Sequence, residues 1–371
     1  MEAYEPFYRA ASDPAGVAEQ VKANQRETMG YFCSYAPEEL IYAAGFHPMR
    51  LFSRQGKRLL AESHLQSYCC SLVRNLLEQA LSGRLAFLSG AVFPHTCDSM
   101  QRLSDIWRLN TNFAFFSNVV MPVKLNSGSS FRYMADVLAS FKKELETHTG
   151  RAITLESLEE AVGKFNRIRE LLAGIYDARS QHPGIISGAD LHALVKGAMI
   201  MDRDALPDLL ENVLANLQTS TEPRADKAPR IVVSGSVCDV PEIYTIIEQA
   251  GGVVVGDDLC TGQRWFDGRM DPEDDPMNAL TRRYAKRLIC PAKHTSPTAR
   301  GEGLVELVGK NRAQGVVFLF LKFCDPHAFD YPYLKECLEE QGIKVLLLEM
   351  DDLSSGSGQL ATRLETFVQM M

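Results

Sequence analysis

LAFLSGAVFPHTCDSMQRLSDIWRL, residues 85–109, decides the fold. Its first nine residues are a continuous apolar run, the composition of a strand buried on both faces of a parallel sheet. From Asp98 the apolar residues recur at three- and four-residue intervals, as on one face of a helix. Asp98 and Gln101 stand at the spacing of a capping box. A buried strand passing through a short turn into a helix is half of a βαβ unit. Cys97 sits at the mouth of that turn.

The pattern continues in both directions. Upstream, residues 14–29 predict an amphipathic helix and YFCSY (31–35) a short aromatic strand. PEELIYAAG (37–45) predicts a helix with proline at its first position and glycine at its end. HPMRLF (47–52) predicts another strand and HLQSYCCSLVRNLLEQALSG (64–83) another helix. Downstream comes a strand in NFAFFSNVVMPV (112–123), and from Ser127 to about Leu217 helix follows helix. TSTEPRADKAPR (219–230) is polar and proline-bearing, a linker. Alternation then resumes with RIVVSGS, PEIYTIIEQAG, GVVVGDD, helices near 277–288 and 301–313, GVVFLFLKF, YLKECLEEQG, KVLLLEM and a closing helix from Gly358. The expected class is α/β, with two Rossmann/flavodoxin-like parallel-sheet domains joined by a helical segment. The expected boundaries are 1–147, 148–226 and 227–371. No fixed-period repeat is present.

Composition narrows the function. The 371 residues are 46% hydrophobic and 23% charged, as in ordinary globular proteins. A net charge of -8, with no basic run, argues against nucleic-acid binding. No apolar stretch approaches the ~20 residues of a membrane span. The acidic start, MEAYEPFYRAASD, lacks a signal-peptide pattern, so the expected location is the cytoplasm, where thiols stay reduced. Nine cysteines, an odd number, are then expected to be free or metal-bound.

Ligands in open parallel sheets bind beyond the carboxyl ends of the strands. Cys97 falls there, and so does Cys324, which follows GVVFLFLKF directly. Each precedes an aspartate able to cap the next helix, a position that exposes sulfur to backbone N–H groups and favours a thiolate. Cys70 is placed in the first turns of the helix 64–83. Its neighbour Cys69 points about 100° away, so one of the two faces a common centre, and spacing leaves open which. Three thiolates from separate elements suit a soft metal. In an iron–sulfur cluster, three cysteines leave one iron open to an exogenous ligand. Zinc would need a fourth ligand such as His95 or His327. Free cysteine also serves as a small core residue.

At these residues the sequence resembles the cluster-bearing subunits of 2-hydroxyacyl-CoA dehydratases and class I benzoyl-CoA reductases. YAPEELIYAAGFHPMRL (35–51), LQSYCCSLVRNLLEQALSGRL (65–85), FPHTCDSMQRL, VSGSVCDVPEIYTIIEQAGGVVVGDD (233–258) and FLKFCDPHAFDYPYLKECLEEQGIKVLLLEMD follow that family's order along nearly the whole chain. QSYCCSLVR, FPHTCD and KFCDPHAFD look slightly closer to a benzoyl-CoA reductase small cluster subunit. The resemblance implies a [4Fe-4S] cluster on Cys70, Cys97 and Cys324, choosing Cys70 over Cys69. Cys33 ranks fourth, and Cys238, Cys260, Cys290 and Cys337 are left as structural. It also implies one-electron reduction of an acyl-CoA thioester to a ketyl radical. The implied partners are a paralogous cluster-bearing subunit and an ATP-hydrolysing iron–sulfur activator protein.

Glu39 is a candidate to orient a hydroxyl or shuttle a proton, or else a first-turn helix acid. His47, His95 and His327 are further candidate donors. GEGLVE (301–306) lacks the strand and third glycine of a nucleotide loop. The absence of G-x-x-x-x-G-K-[ST] fits a protein whose ATP is handled by its partner. The alternatives are a homodimeric double-cubane reductase of small molecules, a non-catalytic iron–sulfur subunit, and a cluster-free α/β binding protein. Double-cubane proteins are richer in cysteine around the site.

Overall fold

Eight strands form two sheets in the computed structural model, which describes residues 2–54, 56–220, 225–238, 242–350 and 357–371. β1 (Thr28–Tyr31), β2 (His47–Arg50), β3 (Leu88–Pro94) and β4 (Phe115–Val119) make the first, in the order β2-β1-β3-β4. β5 (Arg230–Gly235), β6 (Val253–Asp258), β7 (Gly315–Leu321) and β8 (Lys344–Met350) make the second, in the order β6-β5-β7-β8. Every pairing is parallel. The α/β class with two parallel sheets therefore holds. Both sheets reverse strand order at the same place, between β1 and β3 and between β5 and β7, the flavodoxin-type switch point where ligands bind.

Helices Gly128–Thr149, Leu155–Gln181, Gly188–Ala198 and Leu206–Thr219 fill the middle of the chain. The linker expected at 219–230 falls partly outside the described residues, at 221–224, as do residues 239–241 of the VSGSVCDVPEIY segment and Asp351 of the last cysteine segment. Among the described residues no helix is long and apolar enough to cross a membrane.

Four local expectations are corrected. The helix expected over 14–29 ends at Ala23, and the aromatic strand runs over Thr28–Tyr31 instead of 31–35. Gln25, at φ 62, turns the chain, and pairing of Thr28 with His47 and Tyr31 with Arg50 fixes the register. Phe32 to Tyr35 thus lie past the sheet edge, buried but unpaired as strand. The helix expected from His64 begins at Ser71, and Cys70 before it is extended (φ -60, ψ 155). Leu65 and Cys69 have helical spacing, yet a loop delivers them to the core, so the angular argument separating Cys69 from Cys70 does not apply. Asp98 is not a cap. Cys97 holds that position, and Asp98 is the first helical residue.

The loop after β1 and the start of the helix Glu38–Ala43 that follows it tie the two halves together. Trp265 Nε1 donates to Glu38 at 2.5 Å, and Arg203 pairs with the other Glu38 oxygen at 2.9 Å. Tyr284 donates to the Ala36 carbonyl at 2.6 Å and Arg287 to that of Ser34 at 2.7 Å. These groups are buried, where a hydrogen bond is costly to leave unmade. They bring the carboxyl edges of the two sheets into one region.

Candidate metal centre

Cys70, Cys97 and Cys324 are each the N-cap residue of a helix: Ser71–Leu81, Asp98–Asn110 and Asp325–Glu340. None uses its side chain to cap. A helix start leaves backbone N–H groups without intrahelical partners and carries partial positive charge. Cys97 follows β3 and Cys324 follows β7, the equivalent strands of the two sheets. All three line one cavity of about 530 Å³, together with Asp98, Pro291, Ala292, Phe323 and Asp325. Phe323, immediately before Cys324, adopts φ 66, a left-handed conformation that is strained for a bulky residue. Phe329, also on the cavity, is 87% exposed.

Burial works against the thiolate expected at these positions. Burial pushes the Cys97 thiol up to about 12, against the opposing Met100 N–H. Burial likewise raises Cys70, against the N–H groups of Val73 and Leu72. Cys324 is raised well above an ordinary thiol by burial and then by Cys70 and Cys97. Desolvation exceeds the helix-terminus effect at all three positions. His327 Nδ1 lies 3.3 Å from the Cys324 sulfur, and burial with nearby Arg264 and Arg300 keeps its imidazole neutral.

The other candidates lie elsewhere. Glu39 is not among the residues lining the cavity. It is 2% exposed, paired with Arg169, with Arg283 at 3.8 Å. His47 is buried, its Nε2 2.8 Å from the Ile200 carbonyl, and burial lowers its pKa to about 3. His95, two residues before Cys97, has a buried Nε2 with no hydrogen-bond partner. Cys33 is buried just past β1. Cys238 is in the core of the second sheet, and Cys337 lies against Gly301 of the neighbouring helix. Pro291, Ala292, Phe323 and Phe329 were not singled out in the sequence. The apolar residues flanking Cys290 and Cys324 were the available signal. Among the described residues, no group of three or more His, Cys, Asp or Glu side chains is placed to hold a metal ion.

The 2-hydroxyglutaryl-CoA dehydratase D-component model matches residues 33–371. The chain is 27% identical over 360 residues to the (R)-phenyllactyl-CoA dehydratase beta subunit of Clostridium sporogenes, covering 96% of this chain and 94% of that one. It is 26% identical over 365 residues to the lactoyl-CoA dehydratase subunit beta of Anaerotignum propionicum, with 97% and 96% covered. To a benzoyl-CoA reductase subunit of Thauera aromatica it is 27% identical over 341 residues, with 90% and 87% covered. All three relatives are named as enzyme subunits. The match runs from Cys33 to the last residue and takes in three of the first sheet's four strands, the whole second sheet and all three cavity cysteines, so the chain belongs to the 2-hydroxyglutaryl-CoA dehydratase D-component family.

Proposed function

We propose that the protein is the iron–sulfur subunit of an ATP-activated radical enzyme acting on an acyl-CoA, of the 2-hydroxyacyl-CoA dehydratase or benzoyl-CoA reductase type. In this reading Cys70, Cys97 and Cys324 hold a [4Fe-4S] cluster. One observation carries it: three thiols from three separate helix starts, belonging to both sheets, line a single cavity.

The donor set fits. Thiolates are the ligands iron–sulfur clusters take, and bonding to a metal overcomes the burial that keeps these thiols protonated. Three helix starts supply unpaired N–H groups and positive dipole ends for an anionic cluster. Zinc with His95 or His327 has less support, because neither histidine lines the cavity with the three thiols. A cluster held by these three cysteines would supply single electrons for reducing the thioester carbonyl to a ketyl radical, the chemistry shared by the dehydratase and ring-reductase readings. The chain's own residues give the centre its surroundings. Phe323, Pro291 and Ala292 limit water, and neutral His327 orients Cys324. Glu39 anchors Arg169 and Arg283. The beta-subunit names of the relatives support a paralogous second subunit, with ATP hydrolysed by a separate iron–sulfur activator. An oxygen-labile centre of this kind belongs in the cytoplasm.

The test is anaerobic loading with iron and sulfide. The expected product is brown, with iron and sulfide bound, and Cys70→Ala, Cys97→Ala and Cys324→Ala each lower the iron while Cys238→Ala does not. Colourless, iron-free protein, or iron indifferent to all three substitutions, overturns the assignment. Product analysis, water loss against ring reduction, then separates the two activities.

A further inference from the structure

A smaller cavity, of about 80 Å³, lies where four segments meet: the exit of β2, the turn after helix Ser71–Leu81, the end of helix Gly188–Ala198 and the start of helix Pro14–Ala23. It shares no lining residue with the thiol cavity. Its wall carries Arg50, Arg54, Arg84 and Lys196 against a single acid, Asp13. The thiol cavity is the reverse, with Asp98, Asp325 and Asp330 on its wall and no basic residue. In a chain of net charge -8, four cations around one small space are not a by-product of composition.

Local contacts bring these cations together. Gln79 Nε2 donates to the Phe52 carbonyl at 3.1 Å, which ties the segment after β2 to the helix that leads to Arg84. The Lys196 ammonium stands 5.1 Å from the centre of the Phe52 ring. Arg54 reaches the Ser12 carbonyl at 3.4 Å, a long and therefore weak hydrogen bond. Asp13 is already engaged: its Oδ1 accepts the Gly16 N–H at 3.0 Å and caps helix Pro14–Ala23. Among the described residues, Arg50, Arg54 and Arg84 have no carboxylate partner. Arg50 is 3% exposed, and its Nε lacks a hydrogen-bond partner. Like charges gathered in this way repel, and low-dielectric walls concentrate their field. A bound anion turns that repulsion into attraction.

We propose that this cavity binds a phosphate group. Its volume is that of a few waters, enough for one tetrahedral anion and too little for a nucleoside. The arginine fork matches phosphate oxygens two at a time. Pro14 and Ala15, which begin a ten-residue helix, border the same space and add the positive end of that helix. Arg54 and Arg84 are exposed, so one side is open to solvent. The ligand is therefore free phosphate or the phosphate end of a larger ester whose remainder stays outside. The site stands apart from the cluster reading, and its test needs no iron.

Calorimetric titration of the full-length protein at fixed ionic strength, with inorganic phosphate and phenyl phosphate as probes over a chloride background, tests the site. One phosphate per chain is expected. Arg54→Gln and Arg84→Gln, both at the surface, each weaken it about tenfold, as the loss of one charge-assisted hydrogen bond does. Lys143→Gln, which removes an exposed cation from another helix, leaves binding unchanged. Ala15→Leu keeps every charge, fills the cavity and abolishes binding, while an unchanged far-UV circular dichroism spectrum shows the variant folded. Phenyl phosphate bound as tightly as phosphate identifies an ester as the ligand, and phosphate bound alone identifies the free anion. No heat with either probe, or binding indifferent to Arg54→Gln, Arg84→Gln and Ala15→Leu, overturns the site.

Discussion

Glu39 shows what burial does to a candidate acid. Burial alone raises a carboxyl pKa, but Arg169 and Arg283 outweigh it and hold Glu39 below the usual range. A carboxylate kept ionised between two guanidinium groups is a poor proton carrier and a good anchor. Glu39→Gln leaves both arginines buried without their counter-charge, and a loss of about 3–5 kcal/mol of stability is expected. The urea midpoint at neutral pH measures it. Because the folded pKa lies below the unfolded one, the contribution is complete above the unfolded pKa, about 4.3. It is lost as acid titrates the folded carboxylate, so the variant's stability varies less with pH below that value. An unchanged midpoint with abolished turnover would instead restore Glu39 to catalysis.

At the scale of elements, the recurring device is a strand or loop that delivers a cysteine to a helix start. The cysteine of β7 depends on its pairing with β5. A Cβ on Gly235 would stand 2.2 Å from the Leu319 carbonyl oxygen, a backbone atom that no rotamer change relieves. Gly235→Ala must push β7 aside two residues before its end at Leu321. The expected cost is about 1–3 kcal/mol, with weaker iron retention because Cys324 moves. A variant with wild-type midpoint and iron content would show that the strand ends tolerate the shift. The strands themselves were legible because buried parallel strands are unbroken apolar runs. Cys97 and Cys324 were legible because each directly follows such a run. Element ends were not. Leu65 and Cys69 bury at helical spacing from a loop, and Tyr31, Phe32 and Tyr35 bury as aromatics whether or not they pair. The convergence of Cys70, Cys97 and Cys324 on one cavity follows from how the two sheets face each other, and no spacing along the chain encodes that.

Across the whole molecule, the cleft is closed by direct contacts as well as by any metal. Glu38 joins Trp265 and Arg203, and Arg287 reaches Ser34. Cys70 and Cys97 come from the first sheet's half and Cys324 from the second's, so a centre bound to all three is available only to the folded chain. Ligands specific to the native state stabilise it by mass action, about 2.7 kcal/mol at a hundredfold the dissociation constant. Chelator-stripped protein should keep its far-UV circular dichroism, since the contacts across the cleft need no metal. Its urea midpoint should fall below that of the loaded protein under anaerobic conditions, by a margin that shrinks in Cys324→Ala. Equal midpoints for loaded and stripped wild-type protein would mean that no metal bridges the two halves, and the shared centre would have to be abandoned.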